Sequence, residues 1–108
     1  MLWYSRLYVG ERARKHLFSI IRSIREKKYR PGVFVITPAS NGNNILDIYP
    51  GYMLLLESGR VQELTILGIA DGYQEALALA GTMVEEMYEK TGGFCLEEFL
   101  TERGGKVW

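Results

Sequence analysis

The single histidine, His16, and the single cysteine, Cys95, are the side chains of this sequence most able to act as base and nucleophile near neutral pH. A general base needs an orienting carboxylate and a nucleophile within about 3 Å. Nothing in the spacing supplies either. Ser40 lacks the Gly-x-Ser-x-Gly frame of a nucleophile elbow. Cys95 stands among apolar neighbours in Gly93-Phe94-Cys95-Leu96, the setting of a small buried hydrophobe. His16 borders the apolar stripe of a helix, one turn before Ile20, and reads as a boundary residue packed on a sheet.

One His and one Cys cannot make the four-ligand N/S shell of a zinc site. Neighbouring glutamates such as Glu85-Glu86 and Glu97-Glu98 do not share a helix face. Glu85 and Glu89 do, and read as a solvated face. Asp47 alternates with apolar residues in a strand and has no second carboxylate at a known distance. Neither phosphate-loop glycine pattern is present, so no cofactor is expected. Leu67-Gly68-Ile69-Ala70-Asp71-Gly72 joins a strand to a helix start, where free N–H groups hold anions. Asp71 as N-cap would fill that place instead.

The elements that position these residues follow from pattern. Leu2 to Val9 is rich in β-formers and ends at Gly10. Ala13, Leu17, Ile20, Ile21 and Ile24 fall on one stripe of a first helix, stopped by Pro31-Gly32. Val33 to Thr37 is a nearly continuous apolar strand. After an Asn41-Gly42 turn come Ile45 to Tyr49 and Tyr52 to Leu56, joined by Pro50-Gly51. Following Ser58-Gly59, Val61 to Ala70 is a fifth strand. Asp71 and Gln74 suggest a capping box for a second helix, with Tyr73, Ala76, Leu77, Ala80, Val84, Met87 and Tyr88 on its apolar side and Gly92 as its stop. Leu96 to Glu102 is a short third helix.

The order β-α-β-β-β-β-α-α predicts an α+β fold of two layers. About five mostly antiparallel strands would form one sheet, with two amphipathic helices on one face. The first strand–helix–strand unit suggests a right-handed parallel crossover. The other sheet face would show Tyr and Trp to solvent or to a partner. At 108 residues the chain is a single domain, 1–108. Hydrophobic content of 47% excludes disorder, and one cysteine excludes an internal disulfide. No stretch approaches the roughly 18 apolar residues of a membrane span, and Ser5 and Arg6 interrupt any secretory core. The expectation is a cytoplasmic protein.

Net charge is zero, but it is unevenly distributed. Residues 1–30 carry nine basic and two acidic residues, a charge of +7, and the rest of the chain carries −7. On a helical wheel Arg14 and Arg25 lie on one side, Lys15 and Arg22 at the back, Arg12 and Lys27 on the other side. The charge wraps the exposed arc rather than forming one stripe. If the two long helices lie side by side, the acidic one partly neutralises the basic one.

Two functional classes remain in view. The first is a small, non-enzymatic interaction or regulatory domain that self-associates as a dimer, with an acidic protein as another possible partner. Its candidate surface comprises Arg12, Arg14, Lys15, Arg22 and Arg25 with the aromatics Trp3, Tyr8, Tyr49 and Tyr52, since Tyr and Trp are enriched at interface cores. Tyr4 and Trp108 belong to the same set of aromatics near strand and chain ends. The second is a nucleic-acid-associated protein binding phosphates through the basic helix 11–30, in the salt-sensitive and sequence-blind manner of phosphate contacts. No RRM-like or KH-like motif favours it. An enzyme is the weakest reading, since it needs His16, Asp47, Asn43 or Asn44 to converge in a cleft.

Overall fold

A computed structural model describes residues 1–39, 44–55 and 64–105. The anticipated Asn41-Gly42 and Ser58-Gly59 turns, Ser40, Asn43, Leu56, the start of the fifth strand at Val61, and Trp108 lie outside the described residues.

The fold is α+β, with a four-stranded mixed sheet among the described residues. Strands β1 (Leu2–Val9), β2 (Val33–Pro38), β3 (Leu46–Pro50) and β4 (Thr65–Asp71) lie in the order β1-β4-β2-β3. β2 runs antiparallel to both β3 and β4. β4 runs parallel to β1. The expected crossover between the first two strands is therefore absent: β4 lies between β1 and β2, which point in opposite directions. The strand expected over Tyr52–Leu56 is also not found in its described part, Tyr52–Leu55. Gly51–Leu55 is instead a turn of 3-10 helix that buries Leu54.

Pairing slips along the β1–β4 edge. Trp3 faces Ile66, yet Tyr8 faces Gly68. The slip lets Ile66 and Ile69, three residues apart, reach the same core.

Helices cover both sheet faces, so the molecule has three layers rather than two. On one side lie α1 (Glu11–Arg14) and α2 (Leu17–Arg25), packing Ala13, Ile20 and Ile24 on Val33, Val35, Ile66 and Ile69. On the other lie α3 (Tyr73–Thr91) and α4 (Leu96–Glu102), packing Met83, Met87, Phe99 and Leu100 on Tyr4, Tyr8, Ile36 and Leu67. Alternation along β2 explains this: Val33 and Val35 point one way and Ile36 the other, so both faces are apolar and both demand cover.

The first helix is two segments. His16, with φ −131°, breaks the helix between Lys15 and Leu17. Chain reversal begins at Lys27, which takes the left-handed conformation with φ +54°, before Pro31-Gly32. In α3 the buried stripe is Ala76, Met83 and Met87, while Leu77, Tyr73 and Tyr88 are exposed. Gly92 ends that helix in the left-handed conformation, as its sequence suggested.

Candidate functional site

The tightest polar constellation joins α3 to α1. Asp71 belongs to β4 and does not cap α3 with its side chain; the N-cap is Gly72, with φ +98°. Glu75, at the third position of the helix, does the polar work. Its carboxylate accepts the backbone N–H of Asp71 at 2.9 Å, reaching back as in a capping box. It also accepts the N–H groups of Arg12 at 2.8 Å and Ala13 at 3.1 Å. Those are two of the orphan donors of α1, whose own N-cap, Gly10, has no side chain to offer. Burial alone would raise the Glu75 pKa. The three N–H donors and the nearby Arg12 charge outweigh it and hold the carboxyl below its ordinary range. A carboxylate so thoroughly bound is a structural cap, not a general base.

A second constellation ties β1 to α3 and to the end of α4. Tyr8 donates its hydroxyl to Glu86 Oε2 at 2.5 Å. The Arg103 guanidinium stacks 3.9 Å from the Tyr8 ring centroid. Arg103 Nη1 donates to the Arg6 carbonyl at 3.0 Å, and Arg6 Nη1 donates to the Arg103 carbonyl at 2.7 Å. Tyr4 donates to the Leu100 carbonyl at 2.9 Å. Burial, chiefly, and the Glu86 hydrogen bond raise the Tyr8 pKa far above the ordinary phenol value, despite Arg103. Tyr8 stays neutral and is no nucleophile at physiological pH.

The residues with potential for chemistry do not converge. His16 sits exposed between α1 and α2, and Cys95 is exposed just before α4, on the opposite side of the sheet. Asp47, on the edge strand β3, accepts the Tyr49 hydroxyl at 3.0 Å. Among the described residues no group of three or more His, Cys, Asp or Glu could hold a metal ion.

The candidate interaction residues separate by environment. Tyr8 is buried, and Trp3 and Tyr49 are half-buried against the α1–α2 core. Only Tyr52, on the 3-10 turn, is largely exposed. These aromatics therefore do not form one open patch. The basic residues do stay at the surface: Arg12, Arg14, Lys15, Arg22 and Arg25 are all exposed. Arg12 lies beside Glu75. The other four have no ion pair among the described residues, where the only salt bridge joins Lys28 to Glu26 at 3.3 Å.

Phe18, on α2 with Arg22 and Arg25, is 90% exposed. Phe18, Arg22 and Arg25 are spaced i, i+4, i+7 and share the outer side of α2. Its signal was available. A large apolar residue two positions before Ile20 falls off the buried stripe and onto the polar face. On the far side of the sheet, Tyr88 and Phe94 stack with ring centroids 5.5 Å apart and are 57% and 54% exposed. With Val84, Glu85 and Glu89 they line an open groove.

The sheet therefore separates two outer layers of opposite charge. Segment 11–30 carries eight basic and two acidic residues; segment 73–103 carries seven acidic and two basic. Side-by-side neutralisation of the long helices, one of the expectations above, does not occur: α2 and α3 cover opposite sheet faces. Comparison with protein-family models, with curated proteins and with solved structures found no match. Among the described residues no helix is long and apolar enough to cross a membrane.

Proposed function

We propose that this chain is a non-enzymatic interaction or regulatory domain that engages an acidic partner surface through Phe18 and the exposed cations of α2, Arg22 and Arg25, with Arg14 and Lys15 of the preceding segment adding to its charge. The observation that carries the reading is Phe18, 90% exposed beside arginines with no countercharge from the acidic helices. Burying such a ring at an interface is favourable by about 1.5–3 kcal/mol. Exposed arginines steer acidic surfaces over a Debye length of about 8–10 Å. The exposed thiol of Cys95 suits a reducing compartment such as the cytoplasm.

The nucleic-acid reading keeps one specific support. An exposed ring beside arginines is also a combination that stacks bases and neutralises phosphates. One experiment separates the two. Fluorescent polyglutamate and fluorescent single-stranded RNA are titrated with the protein at low and physiological salt, followed by anisotropy. Polyglutamate binding that is lost in Arg22→Glu/Arg25→Glu supports the protein-partner reading. Binding of RNA alone replaces it with the alternative, and no binding of either at low salt by a monomeric protein overturns both.

A further inference from the structure

We infer that the acidic partner of the α2 face is a second copy of this chain, docked head to tail in the Val84–Glu85–Tyr88–Glu89–Phe94 groove of its neighbour. The inference rests on the reading of the α2 face just given and adds the identity of its partner. Both surfaces have the same plan with opposite sign. On α2, Arg22 and Arg25 stand one helical turn apart beside an exposed ring. On α3, Glu85 and Glu89 stand one turn apart beside two exposed rings. Residues one turn apart on a helix lie about 5–6 Å from each other, so two arginines meet two carboxylates in register when the helices lie along one another. Phe18 then fills the apolar strip between Val84 and the Tyr88–Phe94 pair. Guanidinium–carboxylate pairs of this kind are planar and often bidentate.

The geometry also fixes the type of assembly. A two-fold contact of the α2 face with itself would set arginine against arginine. Because α2 and α3 cover opposite sides of the sheet, a copy docked on one face leaves its other face pointing outward. The contact is heterologous and propagates into open chains or larger rings instead of closing as a two-fold dimer.

The test is sedimentation of the 12.3 kDa chain over a range of concentrations and salt. Two variants accompany it, each confined to exposed residues and checked for folding by circular dichroism. One neutralises the α2 face (Phe18→Ser/Arg22→Gln/Arg25→Gln), the other the groove (Glu85→Gln/Tyr88→Ser/Glu89→Gln). The expected result has three parts: wild-type mass climbs past the dimer with concentration and falls with salt, each variant alone is monomeric, and their mixture forms a 1:1 pair through the one intact contact. A wild type that is monomeric at about 1 mM, the scale of a very weak complex, overturns the inference. So does a closed dimer, a variant that still associates alone, or a mixture that stays monomeric. A monomeric wild type that binds polyglutamate through α2 removes the second copy as partner and leaves the interaction-domain reading standing. A wild type that binds neither polyglutamate nor itself removes both.

Discussion

The carboxylate of Glu75 accepts the backbone N–H of Arg12 at 2.8 Å, so a helix on one side of the sheet is capped by a residue from a helix on the other. The contact passes beyond the sheet's end, where β1 leads into α1 and β4 leads into α3. Glu75 thereby fixes the start of both helices with one side chain.

Glu75→Gln keeps the shape and removes the charge. An amide offers one acceptor oxygen where the carboxylate offers two, and three N–H donors converge there. The expected loss is about 1–2 kcal/mol, the range of a missing helix cap, measured by urea unfolding. The wild type should also show an acid-dependent loss. Its folded-state pKa lies below the ordinary 4.5, so the stabilisation is present above that value and vanishes as pH falls through the lowered one. Glu75→Gln should abolish this component, and an unchanged acid limb would refute the assignment.

Gly10 is shaped by the same carboxylate. Its φ of −66° is open to any residue, so conformation does not require glycine. Space does: a Cβ there would lie 2.0 Å from Glu75 Oε1. Gly10→Ala should therefore displace the cap and cost about as much as losing it, about 1 kcal/mol. In a Glu75→Ala background the obstruction is gone, and the same substitution should cost at least 0.5 kcal/mol less, roughly the least coupling expected of residues in contact. Equal costs in both backgrounds would show that the two positions do not interact.

Much of this fold was legible in local pattern. Leu2–Val9, the left-handed stop at Gly92 and the helix at 96–102 needed only propensity and glycine chemistry. The mixed topology was not legible, because β4 pairs with β1 across more than fifty residues and nothing local records its direction. Layer count failed for a related reason. The apolar strand Val33 to Thr37 is compatible with cover on one face or on both, and only the tertiary packing shows that α1 and α2 take the face expected to meet solvent or a partner. Asp71 and Gln74 have the spacing of a capping box, but the strand continues through Asp71, so the N-cap is Gly72 and the third helical position falls to Glu75. The basic residues were identified as a surface. Phe18 is less legible, because it is one apolar residue among Leu17, Ile20 and Ile21 and only its phase off the buried stripe sets it apart.

Tyr8 offers an alkaline counterpart to Glu75. Burial and the Glu86 hydrogen bond raise its pKa well above the ordinary 10. A raised folded-state value means that this stabilisation is complete below about 10 and is lost as pH climbs through the folded value. Tyr8→Phe should remove the alkaline loss and cost about 1–2 kcal/mol at neutral pH, since Glu86 loses its donor while the ring keeps its contact with Arg103. Ultraviolet titration should show one tyrosine ionising last in the wild type and none so late in the variant.

Phe18 and Met83 are both large apolar residues on helices, and they should respond to truncation in opposite ways. Met83 is fully buried against Tyr4, Tyr8 and Phe99 in the α3–α4 core. Met83→Ala removes packed atoms and leaves a cavity, with an expected loss of 2–5 kcal/mol. Phe18 touches little of its own chain, being 90% exposed. Phe18→Ser should shift unfolding by no more than about 0.5 kcal/mol, the usual range for surface positions. The same substitution should weaken polyglutamate binding and self-association at least about tenfold, as expected when a central anchor ring is deleted from an interface. A stability loss above 1 kcal/mol with unchanged binding would place Phe18 among the residues that hold the fold and would leave the α2 face without an anchor.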